Sequence, residues 1–96
     1  MKFETIFIAD TNCTEAEIKK VINKFTTYIK ENGELEEIQD WGNKKLAYPI
    51  KKHTEGRYIL INFISDYKFI EKLEKTYQED KNIIKFITVK TETEEE

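Results

Sequence analysis

Residues 2–29 read KFETIFIADTNCTEAEIKKVINKFTTYI, and the change of hydrophobic rhythm within them decides the fold. As far as Asp10 the segment is short, β-branched and aromatic, the composition of a strand. Phe3, Phe7 and Ala9 share one parity, and Ile6 and Ile8 take the other. A strand apolar on both parities is central in its sheet, or has its second face covered by something outside the chain. Thr14 and Glu17 then stand at capping-box spacing, where each side chain satisfies the other's free backbone N–H. Ile18, Val21, Ile22, Phe25 and Ile29 recur at helical spacing, with Glu15 and Lys19 as an outward i,i+4 pair. Gly33 after Asn32 predicts the helix stop.

The same rhythm returns over 58–77. RYILINFIS (57–65) is apolar at nearly every position and predicts a second central strand. Asp66 then caps a helix with Phe69, Ile70, Leu73 and Tyr77 on one side and Glu71 paired with Lys75 outside. Between these two units, residues 34–48 read as a long, weakly patterned strand. Leu35 and Ile38 have opposite parity there, and Gly42 marks a bulge or twist. Pro49 has no backbone N–H, so this strand ends at it or lies at a sheet edge. KKHTEG (51–56) reads as a loop and IIKFITV (83–89) as the last strand.

The order is strand, helix, strand, strand, helix, strand, the split βαβ pattern of a ferredoxin-like α+β domain. Right-handed crossovers put both helices on one face of a four-stranded antiparallel sheet. The other face is then bare, although both central strands are apolar on both parities, and a bare apolar face implies a partner. One domain over residues 1–91 accounts for the pattern, and the self-repelling glutamate tail at 92–96 is expected to be disordered.

Charge is unevenly distributed along the 96 residues. The formal net charge is −3, which argues against a nucleic-acid binder, yet residues 92–96 alone hold four glutamates. Residues 31–40 carry five acids and no base, whereas residues 41–58 carry five bases against Glu55, a local charge of +4. The field at a surface follows local charge, so the second segment outweighs the average. In DWGNKKLAYPIKKH (40–53), Trp41 and Tyr48 stand among Lys44, Lys45, Lys51 and Lys52. Apolar contact surface beside point charges suits the backbone of a structured RNA better than base readout.

Catalysis finds little support. The single His53 falls in the lysine-rich loop, where a solvated side chain is expected. The single Cys13 precedes a helix N-terminus, which can lower a thiol pKa, but no second reactive group accompanies it. The glycines at 33, 42 and 56 form no phosphate-cradling motif, and one His with one Cys make no transition-metal cage, so no cofactor is expected. A base-stacking platform of the RNA-recognition-motif type is also missing: in EGRYILINF, Tyr58 falls where a small residue belongs and Ile59 where a stacking ring belongs. Apolar runs are too short and too interrupted for a signal peptide or membrane span, so a soluble cytoplasmic protein is expected.

DWG at 40–42 with LAYPI at 46–50 after a basic pair resembles the signature of the bacterial small-subunit ribosomal protein six family. Phe3-Glu4 after Lys2 is similar to that family's first strand, and Arg57-Tyr58 stands where its third strand opens. The resemblance covers residues 2 to about 90. It implies the ferredoxin-like fold and a structural, non-catalytic role: binding the central domain of small-subunit ribosomal RNA jointly with small-subunit ribosomal protein eighteen. Lys2 and Lys44, with Asn43 or Lys45 beside it, match basic positions of the family, lysine standing where arginine is frequent. Lys51, Lys52, Arg57, Lys85 and Lys90 join the RNA-binding candidates by charge and strand position. Trp41, Leu46, Tyr48 and Ile50 are the candidates for the protein partner, although Leu46 and Ile50 also suit a simple closing of the core. A regulatory or self-associating module using the bare sheet face is the alternative.

Overall fold

The structure, a computed structural model, describes residues 1–91; the glutamate tail lies outside the described residues. Strand β1 (Lys2–Ala9) is followed by helix α1 (Glu15–Asn32), strands β2 (Gly33–Ile50) and β3 (His53–Ser65), helix α2 (Lys68–Glu79) and strand β4 (Ile83–Lys90). The strands form one antiparallel sheet in the order β2-β3-β1-β4, so the two strands that are apolar on both parities are the central ones.

Local chemistry sets the element ends. The Glu17 N–H donates to Thr14 Oγ1 (3.2 Å) and the Thr14 N–H to Glu17 Oε1 (2.9 Å), closing the capping box. The bond from the Thr14 backbone N–H, followed by the Thr14 side chain, holds the Glu17 carboxyl below its ordinary pKa. At the second helix the Phe69 N–H donates to Asp66 Oδ1 (3.2 Å), so Asp66 caps from one residue before the helical backbone conformation begins. Gly33 is not a left-handed cap: its backbone is extended and opens β2 directly. Its lack of a side chain matters because a Cβ there would overlap the Ile64 carbonyl.

Both helices pack on one sheet face. Phe3, Phe7, Ala9, Ile59, Ile61 and Phe63 from the sheet meet Ile18, Val21, Phe25, Ile29, Phe69, Leu73 and Tyr77 from the helices. The Phe25 and Tyr77 rings lie 4.5 Å apart between centroids, and both stand 5.5 Å from Phe7. One polar cluster interrupts this core. Thr5 Oγ1 lies 3.1 Å from the Tyr77 hydroxyl and 2.9 Å from Thr88 Oγ1, and it donates to the Ile87 carbonyl at 3.4 Å.

The β2–β3 hairpin departs most from expectation. Its loop is only Lys51-Lys52, both at positive φ (50° and 71°), with Ile50 paired to His53. That is a type I′ turn, which the right-handed twist of a hairpin selects but which asparagine and glycine normally supply. Hence β3 begins at His53 rather than Arg57, and β2 runs on through Pro49, tolerated because β2 is an edge strand. Gly42 sits at φ 76° in a bulge where Asp40 pairs with Ile59 and Gly42 with the adjacent Tyr58, leaving Trp41 as the extra residue.

Candidate protein and RNA interface

The sheet face away from the helices carries the other parity of the central strands: Ile6 and Ile8 from β1, Tyr58, Leu60 and Ile64 from β3. On β4, Ile87 and Val89 continue it and are about half exposed. A shallow hollow of about 260 Å³ runs between Ile6, Ile8, Tyr58, Lys85 and Ile87. A second, of about 230 Å³, adjoins it and shares Ile8, Tyr58 and Lys85, with Leu46, Tyr48 and Ile50 of the hairpin as its wall. Together they make one groove across the open face, closed at one end by the curled hairpin. Gly56 permits that curl, since a Cβ there would collide with Ile8 Cγ2 and touch Leu46 Cδ2.

Three of the four residues singled out for a protein partner line this groove, and the fourth, Trp41, flanks it beside Tyr58. Leu46 and Ile50 are half-buried along it rather than inside the helix-side core, and Tyr48 is 78% exposed at its rim. Trp41 lies nearly parallel to Tyr58, with centroids 6.4 Å apart and 13° between the rings, while its indole N–H donates to Gln39 Oε1 (2.8 Å). Lys44 Nζ stands 5.6 Å from the Trp41 centroid, a cation–π placement. Tyr58, Ile6 and Ile8 were missing from the sequence-based candidates; their signal was the double apolar parity of the two central strands.

The cationic candidates fall into two groups. Lys44, Lys45, Lys51, Lys52 and Lys85 surround the hairpin end of the sheet. Lys2 and Lys90 flank the opposite end, five register steps or about 17 Å along β1 from Lys85. Among the described residues none of these seven lysines forms an ion pair, and all are exposed.

Arg57, also among the RNA-binding candidates, is placed differently from the lysines. Its Nε and Nη2 donate to Asp40 Oδ1 (3.1 Å) and Oδ2 (2.5 Å), and its Nη1 donates to Glu15 Oε1 (2.6 Å). It projects toward α1, where two carboxylates take three of its five N–H donors and raise its pKa further. The bidentate Arg57 hydrogen bond in turn holds the Asp40 carboxyl below its ordinary range. Two expectations change. His53 is half-buried beside the hairpin turn, with Nδ1 3.8 Å from Asp10 Oδ1 just beyond β1. The Cys13 thiol is pushed up, first by partial burial and then by the Glu17 and Asp10 carboxylates, the reverse of activation.

A ferredoxin-like domain with an open aromatic face and a lysine hairpin free of ion pairs among the described residues has the form of an interaction module. Comparison with known proteins makes this particular. Residues 2–90 match the family described as Ribosomal protein S6. The chain is 37% identical over 91 residues to small ribosomal subunit protein bS6 of Thermoanaerobacter pseudethanolicus, covering 94% of this chain and 96% of that protein. It is 39% identical over 93 residues to bS6 of Citrifermentans bemidjiense, covering 96% and 69% respectively. The crystal structure of 30S ribosomal protein S6 from Thermotoga maritima superposes with a TM-score of 0.89 at 30% identity, covering 94% of this chain and 86% of that one. The chain therefore belongs to the ribosomal protein S6 family, components of the small ribosomal subunit in the cytoplasm. Its relatives are structural ribosomal proteins rather than enzymes. No helix among the described residues is long and apolar enough to cross a membrane.

Proposed function

We propose that this protein binds the central domain of small-subunit ribosomal RNA together with small-subunit ribosomal protein eighteen, dividing its surface between the two. The protein partner takes the apolar groove on the open sheet face, with Trp41, Leu46, Tyr48 and Ile50 beside Tyr58 and Ile8. The RNA backbone takes Lys44, Lys45, Lys51, Lys52 and Lys85 at the hairpin, and Lys2 and Lys90 at the far end. Residues 1–91 act as one ferredoxin-like domain, with 92–96 as an appended acidic tail.

The observation that carries this reading is the groove itself, an uncovered apolar surface bordered by lysines without ion-pair partners among the described residues. An apolar sheet face of this kind gains from burial at about 25 cal/mol per Å² removed from water. Exposed lysines supply salt-sensitive attraction to phosphates without sequence readout. Division of the surface also reconciles RNA binding with a formal net charge of −3.

The test is a salt titration of binding to a central-domain rRNA fragment, with and without the partner protein. Binding alone is expected to be weak and steeply salt-dependent, and the pair much tighter. Absence of affinity by the purified pair at low salt rules the reading out. A stable homodimer burying the groove at micromolar concentration favours the self-associating module instead.

A further inference from the structure

Arg57 sits in the most basic segment of the chain, yet all three of its guanidinium nitrogens are occupied. What they hold is the bulge at Trp41. Asp40 Oδ1, which accepts from Arg57 Nε, also accepts from the Gly42 N–H (2.9 Å). The carboxylate thus clasps both sides of Trp41, the residue without a register partner.

That bulge controls orientation. Asp40 pairs with Ile59, on the helix-facing parity, and Gly42 pairs with Tyr58, on the open face. With the extra residue in place, Lys44 is opposite Gly56 and shares the open face with Leu46. Without it, every residue after Trp41 shifts by one register step. Side chains alternate strictly along a strand, so Lys44 and Leu46 then turn toward the helices.

We propose that Arg57 is a positioning residue: through Asp40 it pins the β2 bulge, which holds Trp41 as the extra residue beside Tyr58 and places Lys44 and Leu46 on the open face. Its functional consequence rests on the reading of that face as the partner surface; its geometry does not. Glu15 supplies a third attachment, to the first turn of α1, and ties the brace to the body without touching the bulge.

Trp41 is the single tryptophan of the chain, so it reports on its own placement. Emission and acrylamide quenching are measured on the full chain for Arg57→Gln, Arg57→Lys, Asp40→Asn and Glu15→Gln, with far-ultraviolet circular dichroism as the control for folding. Arg57→Gln is expected to red-shift emission, increase quenching and speed hydrogen exchange at the Gly42 amide. Arg57→Lys, which keeps the charge but loses the fork, restores this only in part. Glu15→Gln leaves Trp41 unchanged. Unaltered emission and Gly42 exchange in folded Arg57→Gln overturn the proposal; should that variant not fold, the same null result in Asp40→Asn does so. Affinity for the partner protein and the rRNA fragment is expected to fall about fivefold or more in Arg57→Gln, the scale of a displaced aromatic anchor. A displaced Trp41 with undiminished affinity leaves the brace standing and overturns the assignment of Trp41 to the partner surface.

Discussion

The buried cluster of Thr5, Tyr77 and Thr88 gives the sharpest quantitative expectation. Thr5 Oγ1 has a single proton; assigning it to the Ile87 carbonyl, which can only accept, makes the Tyr77 and Thr88 hydroxyls the donors to Thr5. Tyr77 is 1% exposed, and burial drives its phenol pKa upward, keeping it a donor throughout the accessible pH range. Tyr77→Phe removes one hydrogen bond and leaves Thr5 with its other two partners, a loss of about 1 kcal/mol. Thr5→Val is nearly isosteric but leaves the Tyr77 O–H buried without an acceptor, adding a desolvation penalty of about 1–3 kcal/mol. In the Thr5→Val background that penalty vanishes on Tyr77→Phe, so the second substitution becomes neutral or stabilising. Urea unfolding of the four proteins closes this double-mutant cycle. Equal costs for Tyr77→Phe in both backgrounds refute the assigned donor and acceptor roles.

Four further outcomes concern the hairpin and its bulge. Replacing Lys51-Lys52 by Asn-Gly relieves two left-handed non-glycine residues and is expected to raise stability by about 1–2 kcal/mol. The same change flattens the salt dependence of rRNA binding, by roughly two released counterions if both lysines meet phosphates; denaturant midpoints and salt titrations read the two effects separately. Gly42→Ala meets open space but a positive φ, and loses about 1–2 kcal/mol with the groove intact. Gly56→Ala instead collides with Ile8, loses about 1–3 kcal/mol, and shifts the Ile8 and Leu46 methyl resonances. Asp40 has a depressed carboxyl pKa in the folded state, so its contribution is complete above the ordinary value of about 4 and fades as pH falls through the folded one. For a side chain one-third exposed this is about 1 kcal/mol or less. Urea midpoints are expected to separate wild type from Asp40→Asn at pH 7 and to converge as acid protonates Asp40 in the folded state.

The architecture was legible where local and tertiary signals agree. The capping box at Thr14 and Glu17, the stripe from Ile18 to Ile29, and the double parity of two strands fixed the element order and the uncovered face. The hairpin was less legible, because Lys51-Lys52 carry no glycine or asparagine to announce a type I′ turn. A tight turn therefore read as a six-residue loop, and His53 as solvated. The ion pairs of Arg57 were not legible for another reason: its carboxylate partners lie 17 and 42 residues away, and charge alone does not reveal occupancy. The groove escaped because its centre, Tyr58, stacks on a ring from the neighbouring strand. Only the register brings Trp41 beside it.

The strand order leaves β2 and β4 with unpaired rims, and the longer of these edges belongs to an 18-residue strand. A flat edge of that length is a template for strand addition and aggregation. This one is interrupted by register shifts at Leu35–Glu37, Asp40–Gly42 and Lys45–Ile50, loses a donor at Pro49, and exposes Glu34, Glu36 and Glu37 in a row that repels its own copy. The irregularities that aim the hairpin also keep newly made chains from pairing edge to edge. Smoothing this strand toward an ideal β-sequence would therefore trade a better ladder for a less soluble protein.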